Sequence, residues 1–464
     1  MTDLLLTHGY FLYEDPKELQ ILKPYVPLGL LYICAYLRGK GFSVEVFDST
    51  FSSMDQLKRH LESETPSVLG IYANLMTRKK VVEILEHARL AGWKTVVGGP
   101  EPGAYIGEYL DAGAEVVVLG EGEATMAELL PALGSGGRSN LANVPGIAFL
   151  DESGCVRQTA PRSQISNLDS LPWPARGSVD LRRYIQTWRD AHGQGSLSFI
   201  TARGCPYHCR WCSHQVFGKT HRRRNPIAVV DEVEWLVHTY SPDMVWIADD
   251  VFTIHHGWLR AYAAEMRRRG LRIPFECITR ADRFNADAAD LLAELGCFRL
   301  WIGSESGSQK ILDAMERGVT VDQVQSAIQL CKSHGIQSGM FLMWGYEGEQ
   351  LDDIEATIAH VKRTDPDIFF TTVAYPIKGT PYYEQSANSL VQLKPWRLSS
   401  DRELSVGGRR SPEFYSSADR LLQNEVKLAR LENAGAPESI RVELQAQIQA
   451  LRQSLHSEAV EVRA

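Results

Sequence analysis

The sequence predicts an α/β protein: an N-terminal doubly wound, Rossmann-like parallel sheet, then a partial (β/α)6 barrel of the TIM type, then a helical C-terminal tail. Three observations carry this. Short apolar runs alternate with amphipathic stretches in two separate series, the pattern of β/α units joined by right-handed crossovers. The first series has glycine-rich turns after its strands, and the second ends its helices on single glycines. After Tyr383 the strand-like runs stop and Ala/Leu/Gln-rich amphipathic segments follow.

In the first series, MTDLLLTHGY and SVEVFDST read as strands around the helical LGLLYICAYLRGKG. PSVLGIYANLM, KTVVGGP and EVVVLGEGE supply three more, with VVEILEHARLAG as an intervening helix. VVGGPEPGAY and VLGEGEATMAELL are turns in which glycine lets a ligand approach the backbone at a helix N-terminus. No G-x-G-x-x-G follows the first strand, which weakens a nicotinamide or flavin reading. This domain is expected over residues 1–145. Residues 146–195, rich in Pro, Gly, Ser and charge, read as a linker. The barrel is expected over 196–384. SFITARG, DMVWIADDVF, RIPFECITRADR, CFRLWIGSESG, QSGMFLMWGYEGE and DIFFTTVAYPIKGTPYY are its strands, and PIAVVDEVEWLVHTY and GWLRAYAAEMRRRG, stopped by Gly270, are its first helices. Residues 385–464 form the helical region. Its two amphipathic helices, ADRLLQNEVKLARLENAG and PESIRVELQAQIQALRQSL, are expected to cap the barrel, with dimerisation as the alternative. The terminal VEVRA is expected to fray.

The 464 residues are 44% hydrophobic and 23% charged, ordinary globular values that exclude a disordered chain or a rod. Lys+Arg 49 against Asp+Glu 57, a net charge of -8, argues against nucleic acid or an anionic membrane as partner. No membrane span is expected, since no apolar run reaches about 18 residues. The first residues place Asp3 where an export signal needs Lys or Arg, so a cytoplasmic location is expected, where cysteines stay reduced or bind metal. Cys34, Cys155, Cys277, Cys297 and Cys331 are scattered and read as small packing residues.

Cys205, Cys209 and Cys212 differ: FITARGCPYHCRWCSH holds them as C-x3-C-x2-C directly after a strand. A zinc site would want a fourth ligand, with His208 and His214 nearby. Three thiolates on one short loop suit a [4Fe–4S] cluster with one iron left open. Chemistry in a parallel barrel sits beyond the strands' carboxyl ends. That rule nominates Asp249, Asp250, Thr279, Arg280, Ser304, Glu305, Tyr346, Glu347, Glu349, Tyr375 and Lys378. Several charges at one barrel mouth suggest a polar ligand, although each alone could be a helix cap or an ion pair. The run His221-Arg222-Arg223-Arg224 reads as a solvated face or an anion clamp near the cysteine loop.

The cysteine motif resembles that of the radical S-adenosylmethionine (SAM) superfamily. The resemblance implies that Cys205, Cys209 and Cys212 hold the cluster and that its open iron chelates SAM, which one electron splits into methionine and a 5′-deoxyadenosyl radical. It implies that Trp211 lies against the adenine, Asp249 and Asp250 at the amino group, Arg280 at the carboxylate, Ser304 and Glu305 at the ribose, and Glu349 in the late glycine-rich turn near the adenine. An external electron donor such as flavodoxin or ferredoxin is implied as partner, and the catalytic acid, base or radical quencher is left unassigned. PLGLLYICAYLRGKG, VGGPEP and LGEGEATMAELL resemble the B12-binding domain fused to many of these enzymes. The D-x-H-x-x-G motif that supplies a histidine to cobalt is absent, the chain reading Asp48-Ser-Thr50-Phe-Ser-Ser53. Cobalamin is therefore expected without histidine ligation, or the domain is a scaffold without it. The expected function is hydrogen abstraction from an unactivated C–H of a small molecule such as a natural product or sugar, leading to cobalamin-dependent C-methylation. The alternatives are cobalamin-independent dehydration of a diol such as an aminoglycoside, and an iron–sulfur protein that only carries electrons or binds.

Overall fold

A computed structural model describes residues 2–134 and 138–461. Its first sheet has seven strands in the order β2-β1-β3-β4-β5-β6-β7, with β1 Leu4–His8, β2 Val44–Val46, β3 Val68–Tyr72, β4 Lys94–Gly98, β5 Val116–Val118, β6 Ile147–Leu150 and β7 Val156–Gln158. β1 to β5 are parallel, and their near-continuous Val, Ile and Leu content reflects burial on both faces. The chain order reverses between β1 and β3, where a doubly wound sheet opens its ligand crevice.

The stretch expected as a linker is more ordered than its composition implied. β6 and β7 add antiparallel to β5 and extend the first sheet. The helix Leu181–His192 buries Leu181, Tyr184, Ile185 and Trp188 against both domains. Pro, Gly and Ser mark its turns, but an antiparallel edge hairpin needs only a few buried apolar residues, here Ile147 and Phe149 on one face of β6 and Ala148 on the other.

The second sheet has six parallel strands, ordered β15-β14-β13-β12-β11-β8, as a partial (β/α)6 barrel requires. They are β8 Ser196–Phe199, β11 Met244–Ile247, β12 Phe275–Thr279, β13 Cys297–Glu305, β14 Gln337–Trp344 and β15 Ile368–Val373; a two-stranded antiparallel pair, β9 Ala202–Arg203 and β10 Arg222–Arg223, lies between β8 and β11. The first barrel helix, Pro226–Tyr240, starts on an Asn225 cap with Pro226 in its first turn, because proline loses no helical hydrogen bond there. Gly296 ends the helix Ala286–Leu295 at φ 99°, a left-handed cap that glycine alone takes without strain.

The helices Pro412–Asn433 and Glu438–Glu461 cap the barrel: Phe414, Ala418, Leu421, Leu422 and Val426 join its core. The last three residues of VEVRA lie outside the described residues. Between barrel and cap, residues 387–411 form short turns and a hairpin that strap the first domain. Arg78, 2% exposed, lies beneath the strap, donating to Asp401 Oδ1 at 2.5 Å and to the Ser399 carbonyl at 3.2 Å and pairing with Glu101. Tyr105 donates to Asp401 at 2.6 Å and Tyr109 to Glu101 at 2.6 Å, with the Trp396 indole packed on both rings.

Candidate functional site

The cysteines sit on a loop that leaves β9 and returns on β10. Gly204 opens it at φ 84°, pressed so close to the Thr220 carbonyl that a Cβ would collide with it. The base of the loop is clamped by the first domain: Arg203 donates to Glu121 at 2.7 Å and Glu123 at 2.6 Å, and Arg222 donates to Glu121 at 2.7 Å. The two glutamates of the VLGEGEAT turn thus brace the cysteine loop. The His221–Arg224 run is not a solvated face. Arg222 pairs with Glu121, Arg223 with Asp249 and Arg224 with Glu232, because burying a guanidinium requires a carboxylate beside it.

The structure divides the predicted site residues into two groups. Asp249 is 2% exposed and turned into the loop: it accepts from the backbone N–H of Thr201 at 2.6 Å and Ala202 at 3.1 Å, from the Thr201 hydroxyl, and from Arg223. Its acceptors are committed to holding the strand that leads to Cys205. Arg280 is similarly engaged. It donates to Asp282 at 2.8 Å and the Arg317 carbonyl at 2.8 Å, approaches Cys209 Sγ at 3.8 Å, and lies over the Tyr207 ring at 3.6 Å. Its place is beneath the cysteine loop, where an expected ligand carboxylate would find no free N–H fork. Ser304 is fully buried, 3.4 Å from His360 Nε2.

Asp250, Glu305 and Glu349 form the other group. Among the described residues nothing donates a hydrogen bond to Asp250. Solvent reaches it, yet it is recessed enough that burial, with Asp249 beside it, pushes its carboxyl up to about 6. Glu305 stands in the left-handed region at φ 63°, a strained conformation for a residue with a side chain, at a register shift in β13. Burial raises its carboxyl too, partly offset by Arg317 at 3.5 Å. Both acids lie near Cys212, whose thiol is pushed up to about 12 by burial, by Cys209 and by these carboxylates and Cys205. Glu349 accepts the Gly345 N–H at 2.6 Å through Oε2, while its Oε1 is buried without a partner. Burial pushes this carboxyl up to about 8. Trp211 is half-buried against Ile311, Met315, Met343, Tyr346 and Tyr382 at the edge of the same recess.

Arg317 and Tyr207 escaped the sequence reading. Arg317 places Nη1 3.9 Å from Cys209 Sγ and donates through Nη2 to the Gly303 carbonyl at 3.0 Å. Its position after a helix resembles an ordinary basic C-terminus, so no local signal marks it. Two guanidiniums beside one thiol are suited to a site that gathers negative charge. Among the described residues no three His, Cys, Asp or Glu side chains converge as ligands of a single ion. A cavity of about 530 Å³ lies away from this site, between the capping helices, where Lys362 and Arg452 are paired with Glu425.

At the first domain's crevice, the loop after β2 is folded down. Thr50 is fully buried and accepts from the Tyr184 hydroxyl at 2.7 Å, and that hydroxyl also contacts Asp48 at 2.8 Å. The imidazole of His8, at the end of β1, is 3% exposed with its two ring nitrogens against Asp48 at 3.1 Å and Ser49 at 2.9 Å. Neither side chain is free to reach a metal in the crevice.

The chain matches the radical SAM superfamily over residues 199–361 and the B12 binding domain over residues 20–130. It is 30% identical over 387 residues to an uncharacterised methyltransferase of Pyrococcus horikoshii, covering 80% of this chain and 81% of that one. It is 28% identical over 352 residues to the anaerobic magnesium-protoporphyrin IX monomethyl ester cyclase of Rubrivivax gelatinosus, covering 74% of this chain and 63% of the cyclase. In fold it is similar to the radical SAM methyltransferase TsrM of Kitasatospora setae, solved with cobalamin and a [4Fe–4S] cluster, at a TM-score of 0.68 and 23% identity over 87% of this chain and 81% of that one. No helix among the described residues is long and apolar enough to cross a membrane. The chain therefore belongs to the radical SAM superfamily, enzymes that use a [4Fe–4S] cluster and SAM, in the branch that carries an N-terminal B12-binding domain.

Proposed function

We propose that the protein abstracts hydrogen from an unactivated C–H of a small molecule and that the outcome is C-methylation. The observation that carries the site is the placing of Asp250 and Glu305 beside Cys212, while Asp249 and Arg280 next to the same loop are committed to protein partners. The residues fit an iron–sulfur cluster: Cys205, Cys209 and Cys212 are three thiols on eight residues, and the Arg280 and Arg317 guanidiniums offset the negative charge that three thiolates bring. The bound cluster supplies the single electron that cleaves SAM. Asp250 and Glu305 offer acceptors for the ammonium and ribose hydroxyls, and Trp211 offers its ring to the adenine. Asp249, Arg280 and Ser304 are assigned to hold the loop and strands beneath them. Glu349, neutral at pH 7, can donate as well as accept.

In the loop after β2, Thr50 is buried and accepts from Tyr184, so its side chain would not serve as a metal ligand. Cobalamin on this domain would carry the methyl group without help from that loop. Methylation ranks first because the Pyrococcus relative, matched over most of both chains, is named a methyltransferase. The buried Thr50 equally supports the second reading, a cobalamin-independent radical elimination such as diol dehydration. Anaerobic reconstitution with and without cobalamin, followed by product analysis after reduction with SAM, separates them. Methylation yields S-adenosylhomocysteine alongside 5′-deoxyadenosine; 5′-deoxyadenosine alone refutes it. Cys205→Ala, Cys209→Ala and Cys212→Ala should each lose the cluster and the cleavage, and survival of both would refute the ligand assignment.

A further inference from the structure

Side chains alternate along a strand, so barrel residues that do not face the helices face the lumen. Leu300 and Ile302 of β13 and Met340 and Leu342 of β14 belong to the core under the helices. Trp301 and Phe341 lie on the opposite face, as does Phe370 of β15, and none of the three joins a core cluster among the described residues. Instead they form a series of rings. The Trp301 indole stacks on Phe341 at 5.1 Å and 13° and on Phe370 at 5.4 Å and 14°.

This series is held rigidly at its centre. The indole N–H donates to Glu276 at 2.9 Å, and Glu276 also accepts from Arg299 at 3.0 Å. Gly339 lies opposite Trp301 in register, and a Cβ there would run into the indole. Trp301 is only 6% exposed, yet the phenyl ring stacked on it, Phe370, is 56% exposed. Along β11, Trp246 is half-buried, and Ala248 and Asp250 beyond it are exposed, so accessible surface continues toward the acid pair.

An exposed ring kept parallel to an immobilised indole is a pre-ordered stacking surface, since little side-chain freedom is lost when a second ring meets it. The charges around it are paired, Glu276 with Arg299 and Glu305 with Arg317, so the rings and not a net charge set what binds. We propose that the Trp301–Phe341–Phe370 platform is the substrate subsite and that the substrate is a flat, conjugated or aromatic molecule stacked beside Phe370 in the barrel lumen. This rests on the radical reading above only in calling the ligand a substrate.

The test uses the full chain, cluster-loaded and anaerobic, with SAM but no reductant, so that nothing turns over. The probe is the neutral naphthalene dye 6-propionyl-2-(dimethylamino)naphthalene, followed by its emission. The expected result is one saturable site that Phe370→Ala weakens about tenfold and Phe370→Tyr preserves. Gly339→Ala, which displaces the indole without touching an exposed residue, should weaken it as well. Unchanged affinity in both Phe370→Ala and Gly339→Ala overturns the proposal. So does unchanged affinity with a shift from dimer to monomer by light scattering in Phe370→Ala, which would make β15, an edge strand, a contact between copies. Adding reductant then separates the two ideas. Dye binding that depends on Phe370 without any 5′-deoxyadenosine supports the platform and refutes the chemistry assigned above it.

Discussion

Glu349→Gln should stabilise the protein, and increasingly so as pH rises. One carboxyl oxygen of Glu349 accepts the Gly345 N–H; the other is buried without a partner. Burial, with Asp353 nearby, raises its pKa from 4.5 to about 8, against the opposing pull of the Gly345 N–H and of Arg409 and Lys310. Between those values the native state keeps a proton that the unfolded chain has released, so rising pH favours unfolding. Each pH unit in that window removes about 1.4 kcal/mol, and at pH 7 the carboxyl subtracts about 3 kcal/mol relative to a permanently neutral group. Glutamine keeps the acceptor for Gly345 and cannot ionise. The gap between variant and wild type, from urea midpoints at constant slope followed by tryptophan fluorescence, should grow from about 1 kcal/mol at pH 5 to about 3 kcal/mol at pH 7 and level off above pH 8. A gap that stays flat, or narrows with pH, would refute the assignment of a buried, protonated Glu349.

Neighbouring acids should respond in opposite ways. Asp249→Asn strands the buried Arg223 and should cost about 3–5 kcal/mol with loss of bound iron, whereas Asp250→Asn should not lower the melting temperature and should weaken SAM binding about ten- to a hundredfold by calorimetry. The reverse pattern would exchange their roles. His360, which burial lowers to about 4, is neutral in the native state; protonation of the unfolded chain below 6.5 should cost the wild type about 2 kcal/mol at pH 5, and His360→Gln should abolish that acid sensitivity in the same urea series. Asp401→Asn leaves Arg78 short of a buried partner and should destabilise the strap by about 3–5 kcal/mol, read as faster tryptic cleavage at Arg397 and Arg402; unchanged protection would show that the strap is held by Trp396 packing alone.

The order of the elements was legible because periodicity is a local property. Alternating apolar runs, the Pro226 start of PIAVVDEVEWLVHTY and the glycine stops such as Gly296 each depend on a few adjacent residues, and each has its expected place in the structure. The three cysteines were legible for the same reason, since their spacing lies within one loop. The stretch 146–195 was not: its turn residues hid an edge hairpin whose strands are specified by β5, about 30 residues away.

Charge partners were the least legible feature. Asp249 and Asp250 are adjacent in sequence and equivalent by motif, yet one is consumed by Thr201, Ala202 and Arg223 while the other faces the recess, because successive side chains leave a strand end in opposite directions. Arg222 to Arg224 looked like a solvent-facing run until three carboxylates from three different elements met them. The sequence by itself determined the two α/β domains, the cysteine loop and the family. Only the tertiary structure decided which acids stay free, that Glu121 and Glu123 brace the cysteine loop, and that Trp301, Phe341 and Phe370 form a stacking platform. Hydrophobic pattern is read along the chain, whereas the partner that satisfies a buried charge or orients a ring arrives through space from any distance along it.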